Sequence, residues 1–226
     1  EMVYSVHLHE EVMLLALRDK EGTVAAGAMY QYAIGGAILA ELLLSQRIRA
    51  VESGKKTLAK VVNPSPVGEP LMDECLNLVR NSKKTRTLQH WVSRFAGVKK
   101  LPHRVAEQLC RRGILRADED KVMLFFTRKI YPEVNPEPER QLIERLREAI
   151  FTESRDLEPN TIVLVSLANA VGLLNIVFDK KELKKRKERI ERIVNGEIVG
   201  KAATEAIQAV QAAIMSAVII PTVVTR

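Results

Sequence analysis

Apolar residues recur at three- and four-residue spacing along most of the chain, the period of an α-helix. In "LHEEVMLLALRDKEG", Val12, Leu15 and Ala16 share a stripe with Leu8 one turn before, and Gly22 is a natural C-terminal stop. "MYQYAIGGAILAELLLSQRI" (Met29–Ile48) is a second helix, apolar on most sides. Gly35 and Gly36 inside it allow close helix approach or mark a kink. "PLMDECLNLVRNS", with Leu71, Cys75, Leu78 and Val79 facing in, is amphipathic. So are "TLQHWVSRFAG", ended by Gly97, and "HRVAEQLCRRG", with Val105, Leu109 and Cys110 inward. "ERQLIERLREAIF" repeats the spacing with Leu142, Leu146, Ala149 and Ile150.

The helical period fails in two places. Ile48 and Val51, then Leu58, Val61 and Val62, read as two short strands around a Ser53–Gly54 turn. A second hairpin is expected from Ile114 to about Ile130, ended by "YPEVNPEPE". Within it, Val122 to Phe126 is an unbroken apolar run flanked by charges. In a strand, Val122, Leu124 and Phe126 would share one face, and Met123 and Phe125 the other. One core hides only one of those sets.

Two stretches approach the length of a membrane span. "TIVLVSLANAVGLLNIVF" (Thr161–Phe178) contains Ser166, Asn169, Gly172 and Asn175; "AIQAVQAAIMSAVIIPTVV" (Ala206–Val224) contains Gln208, Gln211 and Pro221. A spanning helix needs about 20 largely apolar residues, so both are expected as helices buried within a helical protein. Between them "KKELKKRKERIERIVNG" is a basic amphipathic helix with Leu183, Ile190, Ile193 and Val194 inward and Gly196 at its end. No linker or repeat divides the chain. The expectation is a mostly α fold: one helical domain over 1–226, with buried apolar central helices, amphipathic helices around them and a β-hairpin.

Charge adds a direction. A net charge of +7 and a pI near 9.5 suit an anionic partner: a membrane surface, nucleic acid or a phosphorylated ligand. Cys75 and Cys110, distant and without paired spacing, argue against a disulfide framework or zinc site. The N-terminus has no basic region followed by an apolar core, so no signal peptide is expected. "SGKKT" lacks the flanking Gly and Ser/Thr of a phosphate-binding loop: Arg49 and Lys56 stand there. His7 and His9 lack a third metal ligand and read as a polar helix start. Most carboxylates sit near Lys or Arg at helical spacing, the mark of a solvated face. No acid, base and nucleophile assemble, so no catalysis, metal or cofactor is expected.

The cations cluster twice. Lys180 to Arg192 holds eight Lys or Arg and three Glu, with Glu182–Arg186 and Glu188–Arg192 as supporting pairs. Lys99, Lys100 and Arg104, with Arg111, Arg112 and Arg116 further on, surround a helix start marked by Pro102. Free backbone N–H groups and the helix dipole favour an anion there.

"LHEEVMLLALRDKEG", "GGAILAELLLSQRI", "CRRGILRADEDKVMLFF" and "ERQLIERLREAIF", in this order, resemble the Golgi phosphoprotein 3 family over nearly the whole chain. The most specific element is E-E-[VIL]-x-L-L-x-L-x-D-x-x-G, here Glu10 to Gly22. The resemblance implies a projecting hairpin and a cytoplasmic, peripheral membrane protein that binds phosphatidylinositol 4-phosphate, on the Golgi cytosolic face in eukaryotes. It also implies, as partners, the cytosolic tails of membrane enzymes, and a hairpin apex that enters a bilayer or pairs with a second copy. Lys99, Lys100 and Arg104 are then the head-group residues, and Met123, Leu124 and Phe125 the apex. The match to the family's phosphate pocket is partial. Where the family has a Trp after its D-x-E-G turn, this chain has Ala25, Ala26 and Gly27; Gly35 stands at an Arg position and Pro102 at another. Trp91 lies elsewhere. The resemblance thus carries anion binding but not selectivity for the 4-phosphate.

Each cation near an anionic surface contributes about 1 kcal/mol, and each inserted apolar side chain roughly 1.5–3 kcal/mol. Three cations with two apolar residues give about 6–9 kcal/mol before ordering costs, close to the ~8 kcal/mol of micromolar affinity. Neither part suffices alone. A DNA-binding winged helix is the rival, since "PHRVAEQLCRRGILRADEDKVMLFFTR" reads as helix, turn and wing. An apolar apex and a second half rich in buried helix disfavour nucleic acid.

Overall fold

The computed structural model describes residues 5–18, 24–122 and 126–198, with 208, 211 and 212 beyond them, and only the backbone at 24–29 and 118–130. Helices α1 (Leu8–Leu17) and α2 (Val24–Leu44) lead into a hairpin of β1 (Ile48–Ser53) and β2 (Lys56–Val61). Helices α3 (Pro70–Arg80), α4 (Leu88–Ala96) and α5 (Leu101–Arg111) precede a second hairpin, β3 (Asp118–Val122) and β4 (Phe126–Ile130). Then come α6 (Glu137–Phe151), α7 (Pro159–Ala170), α8 (Leu174–Val177), α9 (Lys180–Lys185) and α10 (Lys187–Val194). The architecture is mostly α, as expected, and both sheets are two-stranded and antiparallel.

Helices α1 and α7 form the centre. Every residue from Leu8 to Ala16 and from Thr161 to Ala168 is buried. Ser166 is accommodated in α7 because its hydroxyl donates to the Ile162 carbonyl (2.9 Å) and accepts from Gln211 Nε2 (2.5 Å). Around this centre, α4 buries Leu88, Trp91, Val92, Phe95 and Ala96, and α5 buries Leu101, Val105, Ala106, Gln108 and Leu109. Among the described residues no helix is long and apolar enough to cross a membrane.

The pairing of α2 with α4 depends on one residue. A Cβ at Gly35 would lie 2.7 Å from the Val92 carbonyl oxygen and 2.8 Å from the Ala96 nitrogen, both backbone atoms that cannot swing aside. Close approach, rather than a kink, is therefore the role of this glycine.

Three expectations are corrected. The apolar stretch from Thr161 to Phe178 is two helices, because Gly172 takes φ 78° and turns the chain between α7 and α8. The basic stretch from Lys180 is also two, broken at Arg186. Val122 to Phe126 is not one strand: Val122 pairs with Phe126 across the hairpin. The expected apex, Met123, Leu124 and Phe125, lies outside the described residues, as does most of the final apolar stretch. At the hairpin's base, Ile114, Leu115 and Tyr131 are buried, and Leu115 bridges to Glu133.

Candidate functional site

At the α4–α5 junction the chain turns sharply. Gly97 ends α4, and Lys100 takes the left-handed conformation (φ 57°) as N-cap of α5. Pro102 has no N–H, and the Leu101 N–H donates to Val98 O (3.1 Å). No side chain caps this helix, which leaves the His103 N–H facing outward along the dipole. Lys99 and Lys100 are exposed, and no carboxylate among the described residues pairs with either. Arg104 is half-buried and committed: its Nη2 lies 2.5 Å from Glu74 Oε2. The lysines therefore present unneutralised charge, while Arg104 presents charge already shared with a carboxylate.

The same turn meets the second hairpin. His103 Nδ1 lies 3.0 Å from the Tyr131 hydroxyl, the residue that directly follows β4. The rings are tilted at 52° with centroids 6.0 Å apart. This contact ties the hairpin's base to the first turn of α5, three residues from Lys100.

Gly35 bears on selectivity. The resemblance puts an arginine of the family's phosphate pocket at this position, yet here no side chain fits between α2 and α4.

Sequence reasoning missed a buried polar network that joins α1, α2, α3 and α5. His9 is fully buried, with Nδ1 3.4 Å from Glu41 Oε2 and Nε2 3.5 Å from Glu69 Oε2 and 3.3 Å from Gln108 Oε1. Gln108 Nε2 donates to Glu69, which caps α3 by accepting from the Leu71 and Met72 N–H groups (3.0 and 2.8 Å). Glu41 accepts from the Leu8 N–H (2.7 Å), and His7 Nδ1 sits 3.5 Å from it. The His7 and His9 rings stack at 5.5 Å because His7, as N-cap, is extended rather than helical. Burial pushes the Glu41 carboxyl up, but hydrogen bonds to His7 and His9 and their charge outweigh it and hold it at about 2. His7 moves up, chiefly through its hydrogen bond to Glu41. Nearby, Arg112 Nε lies 3.0 Å from Glu10 Oε1, and its Nη1 donates to the Ser5 carbonyl (2.7 Å). Glu11 receives two bonds from Arg145 Nη2 (2.7 and 2.8 Å). The first-helix carboxylates are thus buried and paired across the fold, unlike the carboxylates that sit near Lys or Arg at helical spacing. A signal existed: both glutamates lie inside the apolar first segment.

The basic Lys180–Arg192 region contributes less free charge than its composition implied. Arg186 Nε donates to Ile150 O (2.8 Å) and Arg189 Nε to Ala149 O (3.0 Å), capping the C-terminus of α6. Arg186 also pairs with Glu153 (2.7 Å) and Arg192 with Glu197 (3.5 Å), not with the expected helical neighbours. No group of three or more His, Cys, Asp or Glu side chains that could hold a metal occurs among the described residues.

The family profile described as Golgi phosphoprotein 3 (GPP34) matches residues 8–210. A relative described as vacuolar protein sorting-associated protein 74, from Eremothecium gossypii, is 26% identical over 217 residues. That match takes in 82% of this chain but only 65% of the relative's length. The match runs from the buried first helix through the α5 turn and both hairpins to the C-terminal segment: the chain belongs to the Golgi phosphoprotein 3 (GPP34) family.

Proposed function

We propose that this protein is a non-catalytic, peripheral membrane protein that binds anionic phospholipid head groups, phosphoinositides being the class its family membership suggests. Lys99 and Lys100 supply the head-group contact, with the α5 N-terminus behind them and Arg104 as a secondary contributor through its shared charge. The apex, Met123, Leu124 and Phe125, inserts into the bilayer or pairs with a second copy. The observation that carries the reading is the His103–Tyr131 contact (3.0 Å), which holds the base of the hairpin against the turn that bears the free lysines. The cations and the base of the hairpin thus share one junction, and the reading takes the cations and the apolar apex as the two parts that reversible membrane binding requires. Family membership also favours a Golgi location in a eukaryote and the cytosolic tails of membrane enzymes as partners.

The test is co-sedimentation of the full chain with phosphatidylcholine vesicles containing phosphatidylinositol 4-phosphate. Lys99→Glu/Lys100→Glu and Phe125→Asp should each reduce binding by roughly tenfold or more, as loss of one half of a two-part contact requires. Undiminished binding by both variants refutes the mechanism. Salt-dependent binding to duplex DNA without vesicle binding would replace it with the winged-helix reading.

A further inference from the structure

A second cationic site lies at the other end of α4. Here β2, the end of α3 and the 82–87 loop enclose a cavity of about 250 Å³. Lys60, Arg80, Lys84 and Arg86 line it, and no carboxylate does. No acidic residue among the described residues pairs with any of the four. Two other cavities differ in this respect. One mixes Glu10 and Glu69 with Arg111 and Arg112, and the other mixes Glu133 and Glu139 with Arg18. Like charges gathered without counter-charge repel one another, and a bound anion removes that repulsion.

The cavity is a built feature. The Ala59 N–H donates to the Arg86 carbonyl (2.9 Å), and Leu58 bridges to Thr87, so the loop lies along β2 as an extra strand would. The Ser82 hydroxyl donates to the Lys84 carbonyl (2.7 Å), which fixes the bend. These bonds hold the backbone that carries Lys84 and Arg86, while the four cationic side chains remain exposed and would order on binding. Trp91 forms the inner wall. It is 4% exposed, and its indole Nε1–H has no hydrogen-bond partner, a donor that costs free energy to leave unmet. Beside it, the His90 ring meets Trp91 edge-on at 5.1 Å. Burial pushes His90 down, and Arg86 and Arg94 push it further, which shows the sign of the local field.

We infer that this cavity is a phosphate-binding site, distinct from the Lys99–Lys100 turn. Paired guanidiniums suit the oxygens of a phosphate group, and a phosphomonoester carries close to two negative charges at neutral pH. The cavity is small and open to solvent on one side, so it suits the phosphate group itself and leaves a carrier free to extend outward. The two sites flank a nine-residue helix, a separation of roughly 13 Å along its axis at ~1.5 Å per residue.

Trp91 is the chain's one tryptophan, so its emission reports this site directly. The experiment titrates the full chain with inorganic phosphate, with chloride at matched ionic strength as control. The expected result is a saturable change in Trp91 emission that chloride does not reproduce. Arg80→Gln/Arg86→Gln should weaken it by about tenfold or more, the contribution of a charge-assisted hydrogen bond. Both side chains are exposed, and an unchanged thermal melt confirms the fold. Lys99→Glu/Lys100→Glu should leave the phosphate response intact even if vesicle binding is lost, which separates this site from the membrane reading. A further arm uses phosphatidylcholine vesicles with phosphatidic acid. Displacement of phosphate by these vesicles identifies a lipid source, and no displacement identifies a soluble one. Absence of a saturable response, an equal response to chloride, or full response in Arg80→Gln/Arg86→Gln overturns the inference.

Discussion

Two polar clusters of this molecule sit one helix apart and behave in opposite ways. Under α1, the carboxylates of Glu41 and Glu69 face His7, His9, Gln108 and backbone N–H groups at short range. At the start of α5, Lys99 and Lys100 face water, with no carboxylate among the described residues beside them. The difference lies in where the compensating charge comes from. The first cluster carries its own and holds four helices together. The second carries none, and an external anion can supply it. Helix α5 belongs to both: Gln108 anchors it in the network, and Lys100 begins it. Stability and binding should therefore separate cleanly under mutation.

The largest effect is expected from Glu41→Ala. It strands His9 and the Leu8 N–H in the interior, and breaking a buried pair costs about 3–5 kcal/mol. Urea denaturation should show that loss, whereas Lys99→Glu/Lys100→Glu should stay within ~0.5 kcal/mol of the parent. Comparable losses in both would erase the distinction.

Acid comes next. Glu41 is held at about 2, against 4.5 when free. A depressed carboxyl stabilises fully above its unfolded value and loses that contribution as pH falls from 4.5 through about 2. The loss amounts to about 3 kcal/mol at ~1.4 kcal/mol per unit. His7 is raised above 6.5, so its contribution is complete below 6.5 and is lost as pH rises through its folded value. The network should be strongest between these limits, from pH 4.5 to 6.5. Thermal melts across pH, with Glu41→Gln as the control that flattens the acid limb, check both signs.

Gly35→Ala follows, at roughly 1–3 kcal/mol for overpacking against fixed backbone. Chemical denaturation measures it, and a neutral result would mean that α2 and α4 can part. The smallest effect is Tyr131→Phe, which removes the hydroxyl that meets His103, at ~1 kcal/mol or less. Its stability cost should be minor, and vesicle affinity should fall if that contact orients the hairpin.

Much of this arrangement was legible beforehand. The helices followed from three-four spacing, and both hairpins from the two breaks in it. The helix start at Pro102 followed from local chemistry alone, whereas Gly35 was legible only as a close approach or a kink until its distance to α4 decided between them. What stayed hidden depended on residues distant in sequence. Glu11 has no local cation at pairing distance; its partner Arg145 lies 134 positions away. Arg186 and Arg189 look like surface charge until α6 ends beneath them. Gly172 reads as a tolerated glycine in an apolar helix, and only its positive φ shows the turn. Charge in a sequence reveals sign, not whether a partner has already claimed it.

The central claim is that the α5 turn and the hairpin apex face one bilayer together. Its most direct test places a single fluorescent label at position 99 or at position 125, in chains whose half-buried Cys110 is replaced by Ser. On vesicles containing phosphatidylinositol 4-phosphate, a water-soluble quencher reports the exposure of each label. Both labels should become shielded on binding, with position 125 deeper, while a control label at exposed Lys187 stays open. A label at 99 that remains as open as the control on vesicle-bound protein would contradict the account.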